Sequence, residues 1–145
     1  MTVRILVTVS RSFREISTMR AMLTRAYELD PDAVLVHGDD PRSDHKARGI
    51  WLDLGGKDEP WPADWPACGA DCPPRRHRKI RQRTGEEYCP GAGPRRSVAM
   101  VESGPDRCLA FLDPKSKTKG ALRCAQAAED AGIPTLRYEQ AEGAA

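Results

Sequence analysis

No apolar run in this 145-residue sequence approaches the roughly 18 residues a membrane span requires. The early stretch ILVTV is too short for a signal-peptide core and is flanked by Arg4 and Arg11. The expectation is therefore a cytoplasmic chain with no membrane partner. Internal repeats and low-complexity tracts are also missing, and the length fits one domain, so a single domain over 1–145 is expected, with a flexible tail at 140–145. Cysteine is present in an odd number, five (Cys68, Cys72, Cys89, Cys108, Cys124), with no secretory leader. That argues against a disulfide framework and for metal binding by the clustered thiols. One further absence is local. The opening ILVTVSRSF has the form of a strand delivering a loop to a phosphate, yet it carries valine where such a loop normally carries glycine.

VRILVTV is a continuous β-rich run, as in a strand covered on both faces. REISTMRAMLTRAYELD then places Ile16, Met19, Met22, Leu23 and Ala26 at helical spacing, with Ser12 or Ser17 available as caps. AVLVHGDD is a second short strand. SDHKARGIWLDLGG reads as a helix closed by glycines, with Ala47, Ile50, Trp51 and Leu54 inward and Asp44 as its cap. A short third strand fits Lys57–Pro60. A helix resumes near Pro94 with Val98 and Val101 on one side, followed by the strand DRCLAFL, the helix KGALRCAQAAEDAG and the strand IPTLRYE.

Strands alternating with helices predict parallel βαβ units: an α/β, Rossmann-like three-layer sandwich with a mostly parallel sheet. Ligands of such sheets sit beyond the carboxyl ends of the strands, here the segments 8–13, 37–44 and 113–120. Between 67 and 90 the periodicity disappears and Cys, Pro and Arg take over, which marks an insertion.

Read together, these loops resemble the SLOG superfamily, a Rossmann-like group that includes the LOG phosphoribohydrolases and the Smf/DprA proteins. The nearest likeness is to its YspA/YpsA-related single-domain branch, found in bacteria and phages. VTVSRSFRE resembles V-T-G-S-R-x-F-x-D, VHGDDPRSDHKA resembles H-G-G-A-x-G-A-D-x-x-A, and AGPRRSVAMV is similar to A-G-x-x-R-N-x-x-M-V. The segment from Cys108 to Pro134 is similar to a strand, a serine-containing loop with a Gly-Thr pair, and a helix ending in G-I-P. PADW at 62–65 is a further match.

The resemblance implies a site for a nucleotide-derived ligand, ADP-ribose-like, held by Thr8, Ser10, Arg11, His37, Gly38, Asp44, Arg96, Ser116 and Gly120. Val9, Asp39 and Arg42 stand at glycine positions of the pattern, Ser97 at an asparagine and Ala121 at a threonine. Backbone N–H groups approach a phosphate only where no Cβ intervenes, so an altered phosphate cradle is expected. The resemblance also suggests a homodimer. LOG-type enzymes carry P-G-G-x-G-T-x-x-E, whose glutamate assists N-glycosidic cleavage. Cys124 stands at that position, and a thiol does not replace a carboxylate there. Binding or sensing, with no catalytic residue, is therefore the expectation; an N-glycosidic hydrolase would need its acid displaced elsewhere. Pairings of Ser10 with His37 or Asp44 read more simply as a strand end, a loop residue and a helix cap.

The insertion supplies Cys68, Cys72, His77 and Cys89 in a C-x3-C-x4-H-x11-C pattern. Three thiolates and an imidazole form a complete tetrahedral set for a structural zinc, which would stabilise a segment whose apolar residues are few, Ile80 and Tyr88 among them. Eight basic residues lie between Pro73 and Arg96 against Glu86 and Glu87, although the whole chain carries only +2. Three readings stay open: a solvated loop, phosphate contact by Arg75, Arg76, Arg78 or Arg83, or sequence-nonspecific nucleic-acid binding through the same arginines. Tyr88 and the pair Trp61 and Trp65 offer stacking surfaces for such a partner, but tryptophans beside prolines more often pack against the core, and that packing is the expectation.

Overall fold

The computed structural model describes residues 2–70, 72–73 and 77–143. Five parallel strands form the sheet: β1 (Arg4–Val9), β2 (Val34–His37), β3 (Lys57–Pro60), β6 (Arg107–Leu112) and β7 (Thr135–Glu139). Their order is β3-β2-β1-β6-β7, with every neighbouring pair parallel. Four helices flank it: α1 (Ile16–Leu29), α2 (Asp44–Asp53), α3 (Ala92–Glu102) and α4 (Gly120–Asp130). The α/β Rossmann-like sandwich expected from the alternation of periods is the observed architecture.

β1 lies at the centre, and its side chains alternate between the two faces. Ile5, Val7 and Val9 pack with Met19 and Leu23 of α1 and Ala47, Ile50 and Trp51 of α2. Leu6 points to the other face, with Met100 and Val101 of α3 and Cys124 and Ala128 of α4. The same alternation carries Thr8 to the α3/α4 side. Cys108 and Cys124 are buried members of that second cluster, free and distant in role from the other three cysteines.

Three local expectations are revised. Ser43, not Asp44, stands at the N-cap of α2, and no side chain caps that end; Asp44 is its first helical residue. The α1 cap position is Glu15, while Ser12 gives its hydroxyl proton to Asp113 instead. On α3 Val101 is buried but Val98 is 49% exposed, because Met100 takes the inward position beside Val101.

The insertion contains a small antiparallel hairpin, β4 (Lys79–Ile80) with β5 (Glu87–Tyr88). Its turn passes through Gly85 at φ +74, a left-handed conformation that suits glycine. Ile80 is 66% exposed and contributes little to any core. The insertion is closed at its base by the Cys89 N–H, which donates to the Trp65 carbonyl at 2.7 Å. At the other end of the chain, Gln140 N–H donates to Leu112 O at 2.6 Å and Ala141 N–H to Glu15 Oε2 at 2.9 Å, so the backbone stays tied to the sheet through Ala141. Among the described residues no helix is long and apolar enough to cross a membrane.

Candidate functional site

In parallel βα units the helices run back against the strands, so their N-termini gather at the carboxyl edge of the sheet. A cavity of about 280 Å³ opens there, beyond β1, where the strand order reverses, and between α3 and α4. The N-terminal turns of α2, α3 and α4 all border it. Those of α3 and α4 hold no acidic residue and no capping side chain among the described residues, so the positive ends of both helix dipoles face the site. On α3 the Ala92 N–H already donates to the Cys89 carbonyl at 3.1 Å and Pro94 has none, which leaves the first turn of α4 as the main source of free N–H groups.

Thr8, Ser10, Arg11, Asp44, Arg96 and Gly120 line this cavity; His37, Gly38 and Ser116 do not. His37 is fully buried, with Nε2 2.8 Å from Asp58 Oδ2 and Nδ1 accepting the Asp39 N–H at 3.0 Å. It ties β2 to β3 and fixes Asp39, whose φ of 58 is left-handed. That is the conformation for which the related pattern uses glycine, and aspartate is among the residues that tolerate it. Gly38 is required by close approach. A Cβ there would fall 2.5 Å from Arg96 Nη1 and 2.8 Å from Asp44 Oδ2. The Arg96 guanidinium donates to the Gly38 carbonyl and, at 3.2 Å, to that of Trp61. Its Nε is buried and has no partner among the described residues. Ser116 lies in the β6–α4 turn, its hydroxyl 3.4 Å from that of Thr118, which does border the cavity.

The acids here differ. Burial pushes the Asp44 carboxyl up to about 6, against the pull of Arg96 and the Asp40 amide. Asp40 is also partly buried, but the Arg42 amide and the Arg11 guanidinium hold it below the usual carboxylate range. Arg11 Nε donates to Asp40 Oδ2 at 3.3 Å. Lys46 fixes the β1–α1 loop by donating to the carbonyls of Arg11 and Phe13 at 3.0 and 2.9 Å. Cys124 lines the cavity floor, and burial pushes its thiol up. Asp113 accepts the Ser12 hydroxyl and, with Gln140, borders a separate depression of about 410 Å³.

Arg123 and Trp65, with others such as Ser43 and Thr118, line the cavity without having been assigned to it from the sequence. Arg123 follows Gly120 by three residues, a spacing that places it on the same face of α4 and could have flagged it. Trp65 lines the cavity where core packing was expected; Trp61 does pack against the core.

Beside the cavity the insertion brings together Cys68, Cys72, His77 and Cys89, their ligand atoms all within 4.8 Å of one another. Cys68 Sγ lies 3.2 Å from His77 Nε2 and Cys72 Sγ lies 3.6 Å from Cys89 Sγ. A tetrahedral ion with metal–sulfur bonds of about 2.3 Å has ligand edges of roughly 3.8 Å, so four such donors could hold a metal ion with small adjustments. The surroundings favour the thiolate at Cys89 and not at Cys72, whose thiol is pushed up by burial and by the neighbouring Cys89. Arg78 Nη1 donates to Cys68 Sγ at 2.9 Å, Arg95 Nη1 to Cys72 Sγ at 3.3 Å, and the Gly69 N–H to Cys72 Sγ at 3.2 Å. Burial works against ionising Cys89, but the Arg95 guanidinium and the Gly91 amide outweigh it and bring the thiol down to about 6. Of the arginines expected to contact phosphate or nucleic acid, Arg78 is also paired with Glu87 at 2.5 Å. Arg83 is exposed, while Arg75 and Arg76 lie outside the described residues.

No family model matches the chain, and no solved structure matches it. The Gene 61 protein of Mycobacterium phage D29 is 31% identical to it over 137 residues, which cover 93% of this chain and 95% of that protein.

Proposed function

The chain belongs to the family of that phage protein, and we propose that it binds a phosphate-bearing, nucleotide-derived small molecule at the carboxyl edge of its sheet, with one structural zinc ion in the insertion. The observation that carries this reading is the cavity itself. Uncapped N-termini of α3 and α4 converge on it, together with Arg11, Arg96 and Arg123. Helix N-termini and guanidinium groups favour anions, and phosphates above all. The SLOG-like motifs of the sequence point to the same class of ligand.

The usual phosphate cradle in the first loop is replaced. The Ser10 N–H is engaged by the Phe111 carbonyl at 2.9 Å, and the Ser10 hydroxyl accepts the Asp113 N–H at 3.0 Å. Val9 is the last residue of β1 and packs into the core. The anion therefore belongs nearer the start of α4, where a Cβ on Gly120 would meet nothing within 4 Å. Zinc fits the donor set because three thiolates and one imidazole close a tetrahedron and leave no position for a substrate.

Calorimetric titration with AMP, ADP, ADP-ribose and ribose 5-phosphate tests the reading. At least one should bind, and Gly120→Asp should weaken it by about tenfold or more, since a carboxylate would then face the anion. The same substitution should leave the melting temperature unchanged or raised, because an acid in the first turn complements the helix dipole. Absence of binding across the panel, with tight capture of an oligonucleotide, would move the function to the arginine-rich insertion.

A further inference from the structure

The insertion does more than carry a metal. It abuts one side chain of the cavity, Trp65, which stands two residues before its start, and the arrangement around that residue is built. The backbone of Trp65 is hydrogen-bonded to Cys89, a member of the metal set. Its ring rests on Gly93, where a Cβ would come within 2.9 Å of the indole, so the start of α3 leaves room for it. Tyr88 meets the ring edge-on, with centroids 5.8 Å apart and planes at 81°. The Arg81 guanidinium lies over both, 4.6 Å from the Tyr88 centroid and 5.4 Å from that of Trp65. Arg81 and Tyr88 belong to the insertion hairpin, and Arg81 N–H closes that hairpin by donating to Glu86 O at 2.8 Å.

A half-buried indole fixed against a glycine by a cation and a second aromatic ring is a stacking surface with little freedom to lose. The cations and helix ends at Arg96, Gly120 and Arg123 line the same cavity. A ligand with phosphate at one end and a planar heterocycle at the other matches both features. A sugar phosphate alone would use only the first. Resting on the nucleotide-site reading above, we propose that Trp65 is the base-recognising wall of the site, and that the metal centre holds it there through Cys89. The insertion is then a specificity element, and metal loading controls which ligands bind. Removing the metal frees Cys89 and the hairpin from the cluster, and Trp65 loses its fixed position while Arg96 and the α4 terminus keep theirs.

AMP and ribose 5-phosphate separate the two ends of the ligand. Their affinities should be measured by calorimetry on the metal-loaded protein, on the chelator-treated protein, and on Trp65→Leu and Trp65→Phe. The loaded protein should bind AMP about 5- to 150-fold more tightly than ribose 5-phosphate, the range for one base stacked on an aromatic ring. Trp65→Leu and chelation should each reduce AMP to the level of ribose 5-phosphate without weakening the latter, and Trp65→Phe should keep most of the preference. Chelation reads the same term without a substitution, so a poorly folding leucine variant does not remove the test. Equal binding of the two ligands by the loaded protein, or equal weakening of both in Trp65→Leu, overturns the proposal while leaving the nucleotide site standing. Binding of neither ligand overturns the proposal, and the nucleotide site then stands or falls with ADP and ADP-ribose.

Discussion

Replacing Asp44 with asparagine should make the protein more stable at neutral pH, although it deletes a charge that faces Arg96. The carboxyl is buried at the start of α2, and it titrates at about 6 where an unfolded aspartate titrates at 3.8. Between those two values the folded protein keeps a proton that the unfolded chain has released. Stability therefore falls as pH rises through this window. Integrating over it, an ionised Asp44 costs about 3 kcal/mol at pH 7.5 and about 1 kcal/mol at pH 4.5. Asparagine has nearly the same shape and cannot ionise, so Asp44→Asn should recover up to those amounts at the two pH values. Arg96 retains the carbonyls of Gly38 and Trp61 as acceptors, which limits the loss on its side. Urea unfolding followed by tryptophan fluorescence measures the effect. Subtracting wild type from variant at each pH cancels the titration of the thiols and histidines. A variant less stable than wild type at pH 7.5, or a difference that does not shrink on acidification, would refute the reasoning. Either result would make the carboxylate a net stabilising partner of Arg96.

Two further outcomes follow from the same geometry. Cys89→Ser should reduce the metal content of the purified protein from one equivalent to near zero by elemental analysis, and open the segment 67–90 to proteolysis, because that thiol completes the cluster, while the backbone bond from residue 89 to Trp65 alone would be left at the base of the insertion. Retention of the metal would show that Cys68, Cys72 and His77 suffice. Gly38→Ala should lower stability by about 1–3 kcal/mol in thermal melts, since its methyl group would overlap the Arg96 guanidinium; an unchanged melt would mean that Arg96 can move away freely.

The fold was readable because its signals are local and periodic. β1 and β6 are continuous apolar runs, and the helices show their buried stripes through residues such as Met19, Leu23 and Trp51. The order of strands in the sheet is not local, but alternating βα units leave few arrangements, and ligand loops fall at one edge in all of them. The site was legible in part for the same reason. Thr8, Ser10, Arg11 and Gly120 sit at that edge by topology. Where the reading failed, a side chain was drawn away by a partner far along the chain. His37 turns to Asp58, Ser12 to Asp113, and Trp65 is placed by Gly93 and Tyr88. None of these pairings leaves a mark in the spacing of either residue.

The basic segment shows how a charge count misleads without geometry. In sequence it is eight cations against two acids, which suggests a surface for polyanions. In the folded chain several of those cations are engaged. Arg78 serves Cys68 and Glu87, Arg95 serves Cys72 and Cys89, Arg81 covers Trp65 and Tyr88, and Arg96 holds two backbone carbonyls in the cavity wall. The two guanidinium groups at the cluster would offset thiolate charge that the formal count of acids omits. Arg78 and Arg95 thus sit at the sulfur cluster and Arg81 on the two aromatic rings, and not on a free basic surface. Among the described residues of the segment Lys79 and Arg83 stay exposed, and of the cations lining the cavity Arg11 is paired with Asp40 while Arg123 is exposed to a ligand.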